Sequence, residues 1–308
     1  MEIISGIDNF PCGNPACVTV GTFDGLHIGH QAVLRQLKET AIRKGLKSAV
    51  ITFSPHPKQV LLPGADICFV LSQKEKIEAF SKSGIDFLVF HPFSREFAGL
   101  TAEEFFKDML CKKMNMKHLI KGFNNHFGKD RLSDISVIRK YGLEAGFEVT
   151  ETEKLLSGSS DFPVSSTTVR RLIHEGAVDK AAEILGYNFF ITGKVVHGRH
   201  LGRQIGFPTA NILSDDKNKI IPKSGVYEAF CVLDGVKYPV MLNIGSNPTV
   251  NADEDKIFFE AHIIGFSGDL YSKEITVTLI KRLRDEKKFS SLEELKKQLE
   301  EDKTKISV

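Results

Sequence analysis

The ten residues Gly21-Thr22-Phe23-Asp24-Gly25-Leu26-His27-Ile28-Gly29-His30 carry the strongest chemical signal in the sequence. A phosphate chain needs backbone N–H donors at close range, a helix N-terminus, and hydrogen-bonding or cationic side chains aimed at developing charge. Gly21 and Gly25 permit tight backbone approach, while His27 and His30, three apart, fall on one side of an entering helical turn. Polyphosphate binding is therefore the chemistry this segment suggests. A His-x-x-His pair could instead ligate zinc, but no cysteine or third histidine stands at a useful spacing. Walker A and G-x-G-x-x-G patterns are absent, and Gly45-Leu46-Lys47-Ser48 lacks the required spacing.

Two further segments have the composition of ligand sites. Ser165-Ser166-Thr167-Thr168-Val169-Arg170 offers a helix cap, hydroxyl donors and an arginine, although taken alone it is also a plain capped helix burying Val169, Leu172 and Ile173. Between Gly198 and Asn211 three glycines recur at intervals of four (Gly198, Gly202, Gly206), followed by Pro208-Thr209-Ala210-Asn211. The oxygen donors Thr209 and Asn211 suit a hard cation or a phosphate, and the bland alternative is a β-loop that merely turns the chain.

The elements that must position these residues differ between the two halves. Up to about Gly186, short apolar runs (Cys17–Val20, Ala49–Phe53, Phe87–Phe90, Leu119–Ile120) alternate with amphipathic stretches. Ser72 with Glu75 and Thr101 with Glu104 have capping-box spacing, and Gly84 stands where the first of those helices should stop. This predicts an α/β domain with a parallel sheet and a ligand at the strands' carboxyl ends, where Gly21 directly follows a strand. From Tyr187 the segments Phe190–Val196, Val226–Leu233, Tyr238–Ile244, Phe258–Ile264 and Ile275–Ile280 predict a small antiparallel β-barrel. Ser290 and Glu293 then predict a capped tail helix with Leu292, Leu295 and Leu299 on one face. The expected domains are 1–186 and 187–308.

Composition narrows the partners. The 308 residues carry 41 Lys plus Arg against 39 Asp plus Glu, so no overall positive field exists to hold nucleic acid. The five cysteines are dispersed without a C-x-x-C pair and read as reduced thiols of a cytoplasmic protein. No apolar run approaches the roughly 18 residues a membrane span needs, and the N-terminus lacks a signal-peptide pattern. Oligomeric state leaves no mark in the sequence.

The pairing of Gly-x-Phe-Asp-Gly-x-His-x-Gly-His with Ser-Ser-Thr-x-Val-Arg at the end of the same domain resembles the bacterial bifunctional riboflavin kinase/FAD synthetase family, from about Val18 to Asp302. The resemblance implies an N-terminal nucleotidyltransferase domain that adenylylates FMN to FAD and a C-terminal barrel that phosphorylates riboflavin to FMN. In the first, Gly21, Phe23, Asp24, Gly25, His27, His30, Ser166, Thr167 and Arg170 would hold ATP, with His27, His30 and Arg170 stabilising developing charge. In the second, Gly198, Gly202, Gly206, Thr209 and Asn211 would cover ATP, with Thr209 and Asn211 holding magnesium. Glu260 would act as base, and period-two alternation puts it on one strand face with Phe258 and His262, from which an inward carboxylate is expected. Asn243, Pro248, Thr249, Arg282 and Arg284 match family positions assigned to flavin and loop positioning. Asn124, within Lys121-Gly122-Phe123-Asn124-Asn125-His126-Phe127-Gly128, would touch FMN where family members often carry Asp; it keeps the shape but not the charge. The partners so implied are ATP, riboflavin, FMN and FAD, with Mg2+ as cofactor. An aminoacyl-tRNA synthetase-like enzyme, which also uses a His-x-Gly-His motif but needs an RNA-binding surface, another transferase of the same superfamily and a non-catalytic flavin or nucleotide sensor remain as alternatives.

Overall fold

A computed structural model describes residues 1–65, 67–154, 162–197, 205–214, 216–245 and 257–306, the side chains of 257 and 258 excepted. The chain forms two compact units, one comprising Met1–Ile67 with Gln73–Leu156, the other Cys68–Ser72 with Ser157–Val308.

In the first unit β1 (Glu2–Ser5), β2 (Ala16–Val20), β3 (Lys47–Phe53), β4 (Phe87–His91), β5 (Met116–Lys121) and β6 (Glu148–Glu151) form one sheet in the order β1-β4-β3-β2-β5-β6. Every pairing is parallel. β2 is buried along its whole length, as its uninterrupted run Ala-Cys-Val-Thr-Val predicts for a central strand covered on both faces. From β2 the chain winds outward through β3 and β4, then crosses to β5 on β2's other side. The crevice beyond the carboxyl ends of β2 and β5 is thus a topological switch point, where open α/β sheets bind ligands.

Helices α1 (Ile28–Lys44), α2 (Pro57–Leu61), α3 (Gln73–Ser81), α4 (Arg95–Ala98), α5 (Ala102–Glu104) and α6 (Ile135–Ala145) connect these strands. Thr101 and Glu104 form the expected capping box, but the α5 helix continues as a π-helical segment, Phe105–Lys113. Phe105, Phe106 and Leu110 from that segment pack with Val18, Val20 and Ile51 in the core of this unit.

The second unit contains α7 (Ser166–His174), α8 (Val178–Leu185) and a closed barrel. Its strands are β7 (Phe190–Val196), β8 (Ala210–Ser214), β9 (Gly225–Leu233), β10 (Val236–Ile244), β11 (Ile257–Ile263) and β12 (Glu274–Arg284), in the order β10-β11-β8-β7-β12-β9. All neighbours are antiparallel. Closure removes the exposed edges that six short strands would otherwise present. Ile191, Ile212, Leu242, Phe259, Ala261 and Val277 fill the interior.

Val178, Ala181, Ile184 and Leu185 of α8 and the buried face of α7 pack in the barrel's core, so these two helices, which precede Tyr187, belong to the second compact unit. Two expectations for the tail helix need correction. The tail helix α9 (Leu292–Thr304) is capped by Ser291, which accepts from Glu294 N, one residue later than expected, while Ser290 bonds the Glu294 carboxylate. Leu292 is exposed, and Leu299 and Ile306 pack against Phe207 and Met241.

Candidate active sites

The first site begins where β2 ends. Gly21 donates its N–H to Ile51 O, and a Cβ at Gly21 would come within 3.1 Å of the Phe23 ring, a tight fit that favours glycine there. Phe23 (φ 48°), Gly25 (φ 78°) and Leu26 (φ 39°) are all left-handed, which throws the chain back into α1. His27 caps that helix, its Nδ1 accepting from His30 N at 3.3 Å. The two imidazoles stack with centroids 3.7 Å apart, so the i, i+3 spacing places both rings at the α1 N-terminus as expected.

Both rings are neutral at physiological pH. Burial pulls His27 down to about 4. Burial, with the His27 ring and the Lys76 ammonium beside it, pushes His30 well below the usual imidazole range. Because His27 Nδ1 accepts, the neutral ring carries its proton on Nε2, where it is a donor. His30 Nδ1 is buried without a hydrogen-bond partner among the described residues, which suits a group awaiting a polar ligand. Asp24 is buried within the same turn.

Beside this turn opens a cleft of about 620 Å³, lined by Gly21 and Thr22 after β2, Phe53 and Leu61 after β3, Phe93 and Phe97 after β4, and Asn124 and Arg131 after β5. Phe53, Phe93 and Phe97 meet edge-on or tilted at 5.3–5.6 Å, giving a flat-walled apolar space with amide and cationic groups at its rim. Asn124 is exposed and lines it, while Asn125 donates to Val20 O at 2.7 Å and ties the β5 loop to β2. Lys121, buried at the end of β5, pairs with Glu151 at 2.5 Å and reaches the Gly122 and Phe123 carbonyls.

Lys76 is a member of this site that sequence reading did not single out. Its Nζ donates to Thr22 O at 2.9 Å; burial lowers its pKa and the Asp24 carboxylate opposes that fall. Only the capping box at Ser72 and Glu75 pointed toward α3.

Ser166, Thr167 and Arg170 lie at the N-terminus of α7 in the second unit, where Ser165 caps the helix by accepting from Thr168 N. Thr167 is exposed, and Arg170 reaches Thr167 Oγ1 at 3.4 Å. Val169, Leu172 and Ile173 form the buried face, as the periodicity predicts.

The barrel carries the other constellation. Gly198, Gly202, Pro248 and Thr249 lie outside the described residues. Gly206 is left-handed (φ 82°), and Thr209 is half-buried ahead of β8, a strand missed in the sequence because it follows so closely on a Gly/Pro-rich loop. Glu260 pairs with Asn211 on one side and Asn243 on the other, forming a transverse row across β8, β11 and β10. Directly paired residues present side chains to the same face, so an amide, a carboxylate and a second amide stand side by side. That face is the outer one. Phe259 and Ala261 fill the core, leaving Glu260 exposed and His262 packed on Phe207, so the inward carboxylate expected from alternation is not what the barrel provides.

Arg282 donates to Ser224 O and to Asp285 at 2.6 Å, beside the left-handed Gly225. Arg284 forms a 2.8 Å ion pair with Asp302, which is fully buried and anchors α9 to the barrel.

Family models match both units. Residues 10–168 match the FAD synthetase model and residues 185–307 the riboflavin kinase model. The chain belongs to the bifunctional riboflavin kinase/FMN adenylyltransferase family. It is 36% identical over 98% of its length to the bifunctional riboflavin kinase/FMN adenylyltransferase of Escherichia coli (strain K12), covering 96% of that protein. Identity is also 36% to the one from Pseudomonas fluorescens, over 96% of this chain and 94% of that one. A crystal structure of a Streptococcus pneumoniae protein, called a macrolide-efflux protein, shares the fold with TM-score 0.89 and 31% identity, covering 99% of this chain and 98% of that one. Among the described residues no helix is long and apolar enough to cross a membrane. Membership makes the chain a two-activity enzyme of FAD biosynthesis, an ATP-dependent kinase joined to a nucleotidyltransferase.

Thr209 and Asn211, the residues expected to hold magnesium, carry side-chain oxygens of the hard kind that Mg2+ prefers.

Proposed function

We propose that His27 and His30 serve adenylyl transfer to FMN in the first unit and that the Asn211–Glu260–Asn243 row serves riboflavin phosphorylation in the second. The observation that carries the first assignment is the stacked, neutral imidazole pair at the α1 N-terminus, opening beside an aromatic cleft. The cleft's Phe53, Phe93 and Phe97 suit a flat isoalloxazine, and Asn124 stands at its rim.

An FMN phosphate oxygen attacks the α-phosphorus of ATP, the bond to the bridging oxygen of the β-phosphate breaks, and pyrophosphate leaves. No protein nucleophile is needed, so positioning and charge stabilisation provide the catalysis. His27, donating through Nε2, and His30 meet the phosphoryl oxygens as neutral hydrogen-bonding groups, and the α1 N-terminus adds its dipole. Asp24 orients the nucleotide from beneath the turn. Ser166, Thr167 and Arg170 enter the reading through their sequence motif, as further phosphate contacts.

In the barrel the ribityl 5′-hydroxyl oxygen attacks the γ-phosphorus of ATP and ADP leaves. Glu260 accepts the hydroxyl proton and Asn243 orients the flavin side of the row. Thr209 and Asn211 would hold Mg2+, which when bound neutralises phosphate charge. Gly198, Gly202 and Gly206 cover the nucleotide, and Arg282 and Arg284 position the flavin-side loop and tail helix. ATP, riboflavin, FMN and FAD are the ligands; the protein works in the cytoplasm.

Supplying FMN with ATP and, separately, riboflavin with ATP tests both assignments. The first mixture should release pyrophosphate and FAD, the second ADP and FMN, the FMN then going on to FAD with release of pyrophosphate. Nucleotide binding without either product would favour a sensor and sink the assignment.

A further inference from the structure

The turn that carries the two histidines is costly to hold. Two of its three left-handed residues, Phe23 and Leu26, are not glycine, and each such residue costs on the order of 1–3 kcal/mol unless its surroundings impose it. α3 supplies the surroundings. Lys76 and Phe80 stand one helical turn apart on the same face; Lys76 Nζ donates to the Thr22 carbonyl at 2.9 Å, and the Phe80 ring meets Phe23 edge-on at 5.6 Å. Phe23 in turn lies 5.1 Å from His30. A continuous set of contacts therefore runs from α3 through the turn to the imidazole pair. Asp24, buried in that turn, favours the charged form of Lys76 and opposes the lowering of its pKa by burial.

We propose that Lys76 is a positioning residue for adenylyl transfer, gripping the Thr22 carbonyl so that the left-handed turn holds His27 and His30 stacked at the α1 N-terminus. The inference rests on the adenylyltransferase reading of this unit. A lysine is suited to the task because its head supplies a short, charge-assisted hydrogen bond to the Thr22 carbonyl, which accepts at the longer distance of 3.3 Å from Thr52 Oγ1. Neutral methionine would fill similar space and lose the grip.

The test uses the full chain, because its second activity reports on folding in the same sample. Lys76→Met should lower kcat for FAD formation from FMN by about 10²-fold, the cost of a displacement of about 1 Å at the reacting groups. Riboflavin phosphorylation should stay within about twofold of the parent. Lys76→Arg, which keeps a cationic donor, should recover at least about a tenth of the parental rate, a rescue that loss of packing alone would not give. FAD formation by Lys76→Met within about threefold of the parent would overturn the proposal. Should Lys76→Met fail to fold, Lys76→Arg decides: a rate within about tenfold of parental supports the grip, and a larger loss in a chain that still phosphorylates riboflavin overturns it. If the unsubstituted chain makes no FAD from FMN, the adenylyltransferase reading fails first and takes this proposal with it.

Discussion

Glu260 stands directly opposite Asn211 across the β8–β11 ladder, on the outer face of a barrel whose interior is filled by its sequence neighbours Phe259 and Ala261. A carboxylate on that face is exposed and has the Asn211 amide beside it, unlike a position inside the packed core. Glu260→Gln preserves shape and removes the proton acceptor. Riboflavin phosphorylation should fall by about 10²-fold or more, while FAD formation from supplied FMN continues. A parental phosphorylation rate would remove Glu260 from the role of base.

His30→Ala should have the opposite selectivity. Removing one preorganised hydrogen-bonding group aimed at developing charge costs about 10²–10³-fold, so FAD formation should be suppressed by that factor while FMN accumulates from riboflavin. High-performance separation of the flavins reads both. Loss of both products from a folded variant would contradict two separate sites.

The depressed pKa of His27 makes the first unit acid-sensitive. An unfolded His27 titrates near 6.5, whereas the native ring resists protonation down to about 4. Below pH 6.5 the unfolded chain therefore binds a proton that the native chain refuses. The stability is complete above pH 6.5 and falls through that window, by roughly 3 kcal/mol from His27 alone. His30, His91 and His118 shift in the same direction, adding to the loss. Urea midpoints for this unit's transition should drop between pH 7.5 and pH 5, and His27→Gln should make the drop smaller. An unchanged pH dependence in that variant would show that His27 is not buried neutral.

The division between units sets what can be excised. A fragment beginning at Tyr187 discards Val178, Ala181, Ile184 and Leu185 and the buried face of α7, all part of the barrel core. It should be less stable than one beginning at Ser157 by several kcal/mol, each aliphatic side chain contributing about 1.5–3. Thermal unfolding of the two fragments compares them directly; equal stability would mean that α7 and α8 are accessory to the barrel.

What the sequence revealed follows from how each feature is encoded. The central strands β2, β3 and β4 announce themselves because a parallel strand covered on both faces is largely apolar, whereas β5, Met-Lys-His-Leu-Ile-Lys, shows only its Leu119–Ile120 pair. β1 and β6, with Glu-Ile-Ile-Ser and Glu-Val-Thr-Glu, are edge strands of four residues, too short to show a pattern, and β8 merges into a Gly/Pro-rich loop. The histidine pair was legible because its i, i+3 spacing is local. Lys76 was not, since a lysine in an amphipathic helix reads as a solvated charge until packing against a distant turn buries it. Alternation fixed which residues share Glu260's face but not which face is inside, because that depends on barrel closure. Likewise the pattern change at Tyr187 marks where strands begin, whereas the compact units are decided by which core α7 and α8 join.

Two reactions at two separable sites in one chain can be tested by mixing two variants, each blocked at one step. Given riboflavin, ATP and Mg2+, His30→Ala should stop at FMN, and Glu260→Gln should leave riboflavin nearly untouched. Combined in one tube, they should produce FAD, the first variant supplying FMN and the second adenylylating it. A mixture that accumulates FMN without FAD, or leaves riboflavin unconverted, would contradict the assignment.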